Sequence, residues 1–479
     1  MTGKLYGIIL LLMFTIKEIH QATRGTLIKE GTALKTIRGV SIDSRTIGPQ
    51  ELFIAIRGDR FDGHDYTAEA IEKQAALIIV SKKNFSFPPN LPHPPVILVA
   101  DTTQALGQLA HFHRQRFSIP IIAVTGSNGK TTTKEMIAAV LSARYNVLKN
   151  VATENNHIGV PMTLLRLNPS YQMVVLEFGT NRFGDIRWLS QITSPTVGLF
   201  TNIGESHLEF LKTPNGVFKE KTEMIKYLKP PATLVINRDD LYLKRILNRK
   251  FKEKILTYGI DSPLDFQASG VKITGQAQLQ FKVNKRQTFQ LKTPAAHNVY
   301  NALAAIVCGR LFDLSFQEIQ DRIMDFNFPK GRQAVHRNDR FVVIDDTYNA
   351  NPVSVRSALE TLKFLDAKGK KIFVCADMLE LGSQSKELHA AIGKSVGQSP
   401  IDAVFTIGQF ARLISQTVKK ENKDLTADHF DTIEGVHNRL KEYCQTGDVI
   451  LVKGSRGMRM ERTVEFLLKK LSPVSARTL

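Results

Sequence analysis

The sequence has few cysteines, a single tryptophan, and neither low-complexity segments nor internal repeats. Its three cysteines, Cys308, Cys375 and Cys444, are far apart and match no metal-ligand or disulfide spacing. This scarcity argues against a disulfide-stapled secreted protein and indicates a reducing compartment. Trp188 is the only tryptophan, so the chain lacks the row of stacking aromatic residues that single-stranded nucleic acids favour.

The positive charge of the chain is large but dispersed. The formal net charge is +19, yet the lysines and arginines are scattered among acidic residues and form no dense basic block. This pattern favours solubility and attraction for an anionic substrate over nucleic-acid binding. We therefore expect no nucleic-acid partner.

No apolar run of the sequence reaches membrane-spanning length. The N-terminal stretch LYGIILLLMF, Leu5–Phe14, is too short to span, and no small-residue cleavage site precedes Lys17. We expect residues 1–12 to be an upstream extension before a start at Met13, with an inefficient signal or anchor as the alternative. A cytoplasmic protein without stable membrane insertion is predicted.

Chain length and strand patterns predict three α/β domains. A chain of 479 residues is longer than one hydrophobic core usually supports. After a region of short strands and turns, buried strands (IIAVTG, MVVLEFG, VGLFTNIG, ATLVIN) alternate with helices up to HNVYNALAAIVCGRLF. The alternation restarts with FVVIDDTYN, KIFVCADM, AVFTIG and DVILVKGS. Such alternation is typical of parallel sheets flanked by helices. We predict domains at 13–100, 101–327 and 328–479.

The stretch TGSNGKTTTKEM predicts a phosphate-binding loop that is shorter than usual. A standard P-loop has four residues between its first glycine and the GK pair, whereas only Ser127 and Asn128 separate Gly126 from Gly129. A strand, this loop and a helix in succession would direct backbone N–H groups and the positive end of the helix dipole at a polyphosphate. Glycines that serve tight backbone geometry alone are the alternative.

Nucleotide contacts follow from the order of residues in this loop. Lys130 would reach the β- and γ-phosphates, and the Thr131 hydroxyl would join a Mg²⁺ shell. The predicted nucleotide-binding residues of this stretch are Gly126, Ser127, Asn128, Gly129, Lys130, Thr131 and Thr132.

Two polar side chains follow neighbouring strands of the predicted sheet. Glu177 ends the strand MVVLEFG, and His207 follows the strand-turn LFTNIGESHLEF. The carboxyl ends of parallel strands meet at one edge of an open sheet, where ligands bind. Carboxylate and imidazole ligands suit Mg²⁺ or Mn²⁺, so a metal site is predicted there. A capping glutamate and a hydrogen-bonded structural histidine are the alternative.

Together with these residues, a series of motifs resembles the Mur ligase family. The motifs are TGSNGKTTTKEM, ENNHIGVPMTLL, LEFGTNRFGDI, TNIGESHLEF, HNVYNALAA, DDTYNANPVSVRSAL, DMLELGSQSKELHAAIG and VKGSRGMRMERTV. The resemblance runs from about Met13 to the C-terminus and is strongest to the members that add D-alanyl-D-alanine. The shorter GxxGK[ST]T loop is that family's own form.

The resemblance implies an ATP-dependent amide-bond synthesis in peptidoglycan biosynthesis. The carboxylate of UDP-N-acetylmuramoyl-tripeptide would attack the γ-phosphate of ATP, and the amine of D-alanyl-D-alanine would then attack the acyl phosphate. The implied architecture is a small α/β N-terminal domain for the UDP-substrate, a central P-loop ATPase-like domain and a C-terminal Rossmann-like domain. Such a reaction requires charge neutralisation, which a loop, a lysine and metal ions can supply. We expect a monomer.

Several site residues follow from the resemblance alone. It implies that Glu177 and His207 are metal ligands, with two Mg²⁺ ions expected, that Asn298 and Asn301 lie near the adenine, that Arg332 meets the γ-phosphate and that Asp346 holds the ribose. An arginine that follows a glycine in a turn is also common at protein surfaces.

The same resemblance assigns the uridine end of the substrate to the N-terminal region. It matches Ser44, Arg45, Asp62, His64, Asn155 and Asn156 to substrate-binding positions. Arg45 could bridge phosphate oxygens bidentately, with a surface salt bridge as the alternative. The family usually has Gly-Asn ahead of the paired asparagines, where this chain has Ala152 and Thr153.

Lys221 is a lysine on an apolar helical stripe. In GVFKEKTEMIKYLKP, helical spacing aligns Val217, Lys221, Met224 and Leu228, whereas Lys219 projects elsewhere. Burial of an unpaired ammonium is costly, so snorkelling to the surface is the alternative. The resemblance implies that Lys221 is carboxylated at N6 and joins the metal site as an anion.

Two other functions remain compatible with the sequence. A sibling ligase that adds the third amino acid, or polyglutamate to folate, is one, although DDTYNANP with DMLELG and the lack of a DNPR motif disfavour it. A non-catalytic nucleotide-binding protein is the other, and the presence of Lys130, Thr131, Glu177 and His207 argues against it.

Overall fold

The computed structural model describes residues 13–30, 37–58, 60–82, 93–151, 154–248, 251–261, 264–274 and 278–471. The expected extension at 1–12 and the departure at Ala152 and Thr153 lie outside the described residues. The structure divides into two compact units. The first takes the described residues of Met1–Ile119, Asn150–Gln172 and Trp188–Ser194, and the second those of Pro120–Lys149, Met173–Arg187 and Pro195–Leu479. Along the described part of the chain, no helix is long and apolar enough to cross a membrane.

Strands and helices alternate along most of the described chain. The strands are β1 (Thr26–Lys29), β2 (Gly39–Ser41), β3 (Glu51–Ile54), β4 (Leu77–Val80), β5 (Val96–Leu98), β6 (Ile121–Thr125), β7 (Val147–Lys149), β8 (Met173–Glu177), β9 (Val197–Phe200), β10 (Thr233–Asn237), β11 (Lys254–Gly259), β12 (Phe266–Ile273), β13 (Leu279–Val283), β14 (Gln287–Leu291), β15 (Ala334–Arg337), β16 (Val342–Asp346), β17 (Lys371–Ala376), β18 (Ala403–Ile407), β19 (Thr426–Phe430) and β20 (Val449–Lys453). The helices are α1 (Ile16–Thr23), α2 (Thr67–Glu72), α3 (Thr102–Arg114), α4 (Lys130–Leu141), α5 (Gly159–Leu164), α6 (Asp185–Thr193), α7 (Leu208–Leu211), α8 (Pro214–Thr222), α9 (Asn298–Leu311), α10 (Phe316–Met324), α11 (Pro352–Phe364), α12 (Ser385–Gly397), α13 (Arg412–Glu421), α14 (Ile433–Tyr443) and α15 (Glu461–Glu465).

The first unit contains a five-stranded sheet. Its strand order is β1-β5-β4-β3-β2, with β1 antiparallel to β5 and the other neighbours parallel. Phe53, Ile78 and Val96 from the strands pack with Ala70 and Ile71 of α2 in its core. The segments 150–172 and 188–194, which lie inside the predicted central domain, cluster with this unit.

The first sheet of the second unit has nine strands in the order β14-β13-β12-β11-β10-β9-β6-β8-β7. From β7 to β12 all neighbours are parallel, while β12, β13 and β14 pair antiparallel. Strand β6 lies between β8 and β9, with Val124 opposite Glu177 and Thr125 opposite Phe200. The chain leaves β6 towards β7 on one side and later returns to β9 on the other. Ligands bind at such a switch point, outside the carboxyl ends of the strands.

Helices α4 and α9 are buried together against the nine-stranded sheet. Met136 and Val140 of α4 and Leu303 and Val307 of α9 are fully buried in one hydrophobic cluster with strand residues. Burial of an aliphatic side chain of this size contributes about 1.5–3 kcal/mol. This packing holds the first residues of both helices in a fixed relation at the edge where β6 ends.

The second sheet of this unit has six strands in the order β15-β16-β20-β17-β18-β19. All neighbours are parallel except β15 and β16. Separate hydrophobic clusters cover the two faces, one including Leu359 of α11 and the other Leu440 of α14. Asp346 and Lys453 are register partners at the ends of β16 and β20. The three sheets confirm the predicted α/β class with parallel-sheet domains.

Candidate active site

The shortened glycine loop joins β6 to α4, as the sequence predicts. Gly129 immediately precedes the helix with φ 79°, and a Cβ atom there would lie 2.6 Å from Oδ1 of Asn301. Gly126 has φ 153°, and its Cβ would lie 1.8 Å from Oγ1 of Thr201. Both positions therefore exclude a side chain, because backbone conformation and close packing act together.

The two residues between these glycines are fixed by the loop that follows β9. Asn202 accepts a hydrogen bond from Ser127 N through its backbone oxygen (2.8 Å) and from Asn128 N through Oδ1 (2.9 Å). The Ser127 hydroxyl donates to the Gly204 backbone oxygen (3.2 Å) and accepts from Gly204 N (2.9 Å). The loop is thus held rigidly by its neighbouring strand.

Lys130 folds back over the loop that precedes it. Its Nζ donates to the backbone oxygens of Gly126 (2.9 Å) and Ser127 (3.2 Å). Burial lowers the pKa of Lys130; the Glu177 carboxylate opposes this shift and the Arg332 guanidinium adds to it. Lys130, Glu177 and Arg332 therefore share one electrostatic environment.

Arg332 meets the first turn of α4. Its Nη2 donates to Oγ1 of Thr131 (2.8 Å), and its guanidinium carbon lies 3.7 Å from the centroid of the Tyr348 ring. This is a cation–π contact, which also fixes the plane of the guanidinium. Thr131 and Thr132 are both buried, and Glu177 is 2% exposed at the end of β8. Arg332, which the sequence predicts in a turn, therefore contacts the glycine loop at the start of α4.

His207 immediately precedes α7 in a left-handed backbone conformation, with φ 53°. Its Nδ1 lies 2.7 Å from Oε2 of Glu380, which follows β17. Burial lowers the pKa of His207, the Glu380 hydrogen bond opposes this shift, and the charges of Lys130 and Lys221 reinforce it. The imidazole is therefore held in its neutral form, which is the form that binds metals.

Lys221 is fully buried on α8, on the stripe that helical spacing predicts. Val217, Met224 and Leu228 are buried with it, whereas Lys219 is exposed. The helix ends at Thr222 and a 3₁₀ turn continues through Glu223–Tyr227. Snorkelling is wrong, since Nζ of Lys221 is shielded from solvent and has no hydrogen-bond partner among the described residues.

The charge state of Lys221 follows from this environment. Burial lowers its pKa well below 10.5 and the positive charge of Lys130 adds to the shift, against the attraction of Glu220 and Glu177. The carboxylate of Glu220 is itself engaged, accepting hydrogen bonds from Gly184 N (2.9 Å) and Ile186 N (2.8 Å). Burial therefore favours the neutral form of the Lys221 amine over its ammonium form.

The start of α9 forms another polar part of the site. Asn301 donates to Oδ1 of Asn298 (2.8 Å) and accepts from the Thr133 hydroxyl (3.0 Å). Nδ2 of Asn298 is buried without a hydrogen-bond partner within the described chain. His297 precedes the helix, and burial lowers its pKa to about 4. A buried amide donor of this kind is satisfied by a ligand with acceptor atoms.

Asp346 lies at the end of β16 beside Lys453. Nζ of Lys453 donates to its Oδ2 (2.6 Å) and to the backbone oxygen of Asn349 (3.0 Å). Asp346 is 8% exposed and Lys453 1%. The lysine thus fixes the carboxylate at the carboxyl edge of the six-stranded sheet.

The described residues contain no group of three or more His, Cys, Asp or Glu side chains arranged to hold a metal ion by themselves. Mg²⁺ usually takes one or two protein carboxylates together with phosphate oxygens and waters. Glu177, His207 and the Thr131 hydroxyl provide such a partial donor set, and the orphaned amine of Lys221 lies in the same electrostatic environment. The donors fit a metal that is shared with a bound polyphosphate.

The predicted uridine-side residues lie in the first unit. Ser44 is buried and donates to Oε2 of Glu69 (2.7 Å). The Arg45 side chain is 81% exposed and pairs bidentately with Asp43, through Nε to Oδ1 (2.9 Å) and Nη2 to Oδ2 (2.7 Å). This ion pair is the alternative that the sequence left open for Arg45, and its role in phosphate binding stays a prediction.

Asp62 and His64 are engaged with each other in the same unit. Asp62 Oδ1 accepts from His64 N (3.0 Å) and lies 2.6 Å from His64 Nδ1, while Nε2 accepts from Ser81 N (2.9 Å). Burial opposes ionisation of Asp62, but the His64 amide and the Lys82 ammonium outweigh it and hold the pKa below its ordinary value. The His64 ring and the Asp62 carboxylate therefore order this turn.

The paired asparagines precede α5 in the first unit. Oδ1 of Asn156 accepts from Ile158 N (3.0 Å) and Gly159 N (2.9 Å), which caps the start of the helix. Asn155 is partly exposed. Their substrate contacts stay a prediction.

Sequence reasoning did not single out four side chains that complete the second-unit site. Glu380 contacts His207, Tyr348 stacks on Arg332 and Lys453 holds Asp346. Asn351 donates to Oδ1 of Asn128 (2.8 Å). All four lie in the motifs DDTYNANP, DMLELG and VKGSRG, which carry the family resemblance. The local sequence around each residue, however, does not indicate which side chain it contacts.

Comparisons with known proteins agree over nearly the whole chain. Three family models match in order: "Mur ligase family, catalytic domain" at residues 36–114, "Mur ligase middle domain" at 124–309 and "Mur ligase, glutamate ligase domain" at 331–456. The curated UDP-N-acetylmuramoyl-tripeptide--D-alanyl-D-alanine ligase of Bacillus subtilis is 34% identical over 466 residues, covering 96% of this chain and 99% of the relative. A crystal structure of MurF from Acinetobacter baumannii has a TM-score of 0.85 at 29% identity, covering 95% of this chain and 99% of that one. MurF ligase from Thermotoga maritima in complex with ADP has a TM-score of 0.79 at 28% identity, covering 90% of this chain and 97% of that one. The chain therefore belongs to the Mur ligase family.

Proposed function

We propose that this protein is an ATP-dependent ligase that joins D-alanyl-D-alanine to UDP-N-acetylmuramoyl-tripeptide in peptidoglycan biosynthesis. The supporting observation is the convergence of the glycine loop, Lys130, Glu177, Lys221 and Arg332 in one electrostatic environment. The site concentrates positive charge and polar donors, which a phosphoryl transfer requires. A glycine loop, a lysine and bound metal ions suit such charge neutralisation better than a Ser-His-Asp nucleophile does.

The reaction divides into two steps. The tripeptide carboxylate attacks the γ-phosphorus of ATP, which forms an acyl phosphate and releases ADP. The amine of D-alanyl-D-alanine then attacks the acyl carbon, which forms the amide, releases phosphate and sheds one proton. Lys130 and Arg332 neutralise charge on the transferred phosphoryl group, and the backbone N–H groups at the start of α4 bind the phosphates that remain.

The metal site is proposed for Thr131, Glu177 and His207 together with N6-carboxylated Lys221. Bound Mg²⁺, with two ions expected, would neutralise phosphate charge and align the reacting oxygens. The full burial of Lys221, its lowered pKa and its orphaned Nζ support a neutral amine able to add CO₂. The product carbamate would turn a buried amine into an anionic ligand.

The adenosine of ATP is proposed to bind between the first turn of α9 and the end of β16. Asn298 and Asn301 are buried and supply amide groups for the adenine edge, and the orphaned Nδ2 of Asn298 supports this. Asp346, fixed by Lys453, would accept hydrogen bonds from the ribose hydroxyls. Ser44, Arg45, Asp62, His64, Asn155 and Asn156 are proposed to bind the UDP-substrate.

We further propose domain boundaries at 13–100, 101–327 and 328–479, a monomeric state and a cytoplasmic location. The three sheets fall one within each proposed domain. All three cysteines are free and buried, which fits a reducing compartment.

Phosphate release measured with purified protein tests the function. We expect release in the presence of ATP, Mg²⁺ and both UDP-muramoyl-tripeptide and D-alanyl-D-alanine, with the pentapeptide product confirmed by mass. Omission of either peptide substrate should abolish product formation. Product formed with a free amino acid in place of the dipeptide would favour a sibling ligase, and nucleotide binding without turnover would favour a binding protein.

A further inference from the structure

The segment Asp377–Gly382, called here the DMLELG loop, follows β17 of the six-stranded sheet. Its Glu380 side chain contacts a histidine that follows β9 of the nine-stranded sheet. The parts of the second unit built on these two sheets are called here the six-stranded half and the nine-stranded half. Oε2 of Glu380 lies 2.7 Å from Nδ1 of His207. A backbone hydrogen bond lies beside this contact, in which Glu209 N donates to the backbone oxygen of Glu380 (3.2 Å). Glu380 plays no part in the reaction steps above.

The DMLELG loop is anchored firmly on its own side. Met378 N donates to Nε2 of the fully buried His389 (3.0 Å), and Leu379 N donates to the Ser455 hydroxyl (2.9 Å). The carboxylate of Asp377 accepts from the backbone of Phe410 (2.9 Å) and Ala411 (2.6 Å). The main chain on either side of Leu379 is therefore fixed, and it holds the Glu380 carboxylate against His207 although the Glu380 side chain is 46% exposed.

Both partners have backbone conformations that side chains disfavour. Glu380 has φ 62° and His207 has φ 53°. Gly382 has φ 58°, and a Cβ there would lie 3.2 Å from the Glu209 Cα. Left-handed non-glycine residues persist where surrounding contacts over-determine them, and they concentrate at functional sites.

We propose that Glu380 is a positioning residue for His207: its carboxylate engages Nδ1 and leaves Nε2 as the nitrogen that would bind a metal, and this arrangement is complete only when the six-stranded half is docked. A carboxylate on one imidazole nitrogen fixes the tautomer and the ring orientation and makes the other nitrogen a better metal donor. Docking of the six-stranded half would therefore raise the affinity of the site for the metal. The inference rests on the proposed function, because it takes His207 as a metal ligand.

The test compares Glu380→Gly, Glu380→Gln and the matched control Glu387→Gln in the full chain. Glu387 is exposed on α12, within seven residues of Glu380 along the chain. Mn²⁺ binding is titrated by electron paramagnetic resonance with a non-hydrolysable ATP analogue, and thermal unfolding is followed in parallel. We expect Glu380→Gly to weaken Mn²⁺ binding by about 10- to 100-fold. Its melting temperature should not fall, because glycine relieves the left-handed backbone.

Two results would overturn the proposal. The first is unchanged Mn²⁺ affinity in Glu380→Gly, and the second is a melting temperature that falls together with the affinity, as a merely structural contact predicts. Glu380→Gln keeps an acceptor oxygen and should bind Mn²⁺ more tightly than the glycine variant, while Glu387→Gln should match the parent. Parent activity with both peptide substrates is measured separately, so failure of the ligase function and failure of the Glu380 role give different patterns.

Discussion

Replacement of Lys221 by methionine should separate stability from activity. The amine is fully buried and has no hydrogen-bond partner among the described residues. An unsatisfied buried polar group costs about 1–3 kcal/mol. Methionine fills a similar volume without that group. We therefore expect Lys221→Met to raise the free energy of unfolding by about 1–3 kcal/mol in CO₂-free buffer without substrates, and to abolish phosphate release.

The stability of the parent protein should depend on pH because Lys221 has different pKa values in the folded and unfolded states. The folded-state pKa of Lys221 lies well below 10.5, so between the two values the unfolded chain binds the additional proton. The stability of the parent should rise with pH across this window, and the methionine variant should lack this dependence. The stability advantage of the variant should be greatest at and below the folded-state pKa of Lys221 and should shrink as the pH approaches 10.5.

Urea unfolding followed by circular dichroism at several pH values measures the effect, and exposed Lys219→Met is the matched control. For a domain of about 150–250 residues, a gain of about 1 kcal/mol corresponds to roughly 2–4 °C in the melting temperature. A methionine variant that is less stable than the parent at neutral pH, or that retains full turnover, would refute the reasoning.

The remaining predictions concern the same site. Lys130→Ala should keep the fold but lose product formation, because water cannot replace a fixed charge at the phosphates; near-normal turnover would remove the loop assignment. Gly129→Ala should weaken binding of a fluorescent ADP analogue at least about tenfold. A left-handed alanine costs roughly 1–2 kcal/mol, and its Cβ would lie 2.6 Å from Asn301 Oδ1, so the loop must move from the conformation that binds phosphate. Gly184→Ala, with φ 96° and open space at Cβ, is the control for strain alone, and equal losses in the two variants would contradict a steric role. Lys221→Ala should be nearly inactive and regain partial activity with formate or acetate, whereas full activity without added carboxylate would exclude a carbamate.

Local sequence predicted the elements that have strong periodicity and turn chemistry. The strands β6, β8, β9 and β10, the long helix α9 and the strands β16, β17, β18 and β20 all lie where apolar runs and glycine turns indicated them. The antiparallel extension β12–β14 was not predicted. Its strands are only partly buried, and their polar residues reduce the hydrophobic signal.

Contacts between distant elements could not be predicted in the same way. The helical stripe placed Lys221 among apolar residues but left snorkelling open, and the family resemblance favoured a buried lysine, which the structure confirms. The pairing of His207 with Glu380 spans two sheets, and neither neighbourhood encodes the other. The same holds for Arg332, whose turn sequence alone suggested a surface residue but whose guanidinium reaches Thr131. Such contacts depend on how whole sheets pack, which short-range periodicity does not describe.

The clamping of the short glycine loop has a consequence for amide exchange and for the entropy of nucleotide binding. The amide hydrogens of Ser127 and Asn128 are both donated to Asn202 within the protein itself. They should therefore exchange slowly with solvent deuterium even without nucleotide, whereas the amides of Lys130 and Thr131, which open a helix and lack intrahelical acceptors, should become protected only on binding. Because the loop is already ordered, its ordering should add little to the entropic cost of nucleotide association.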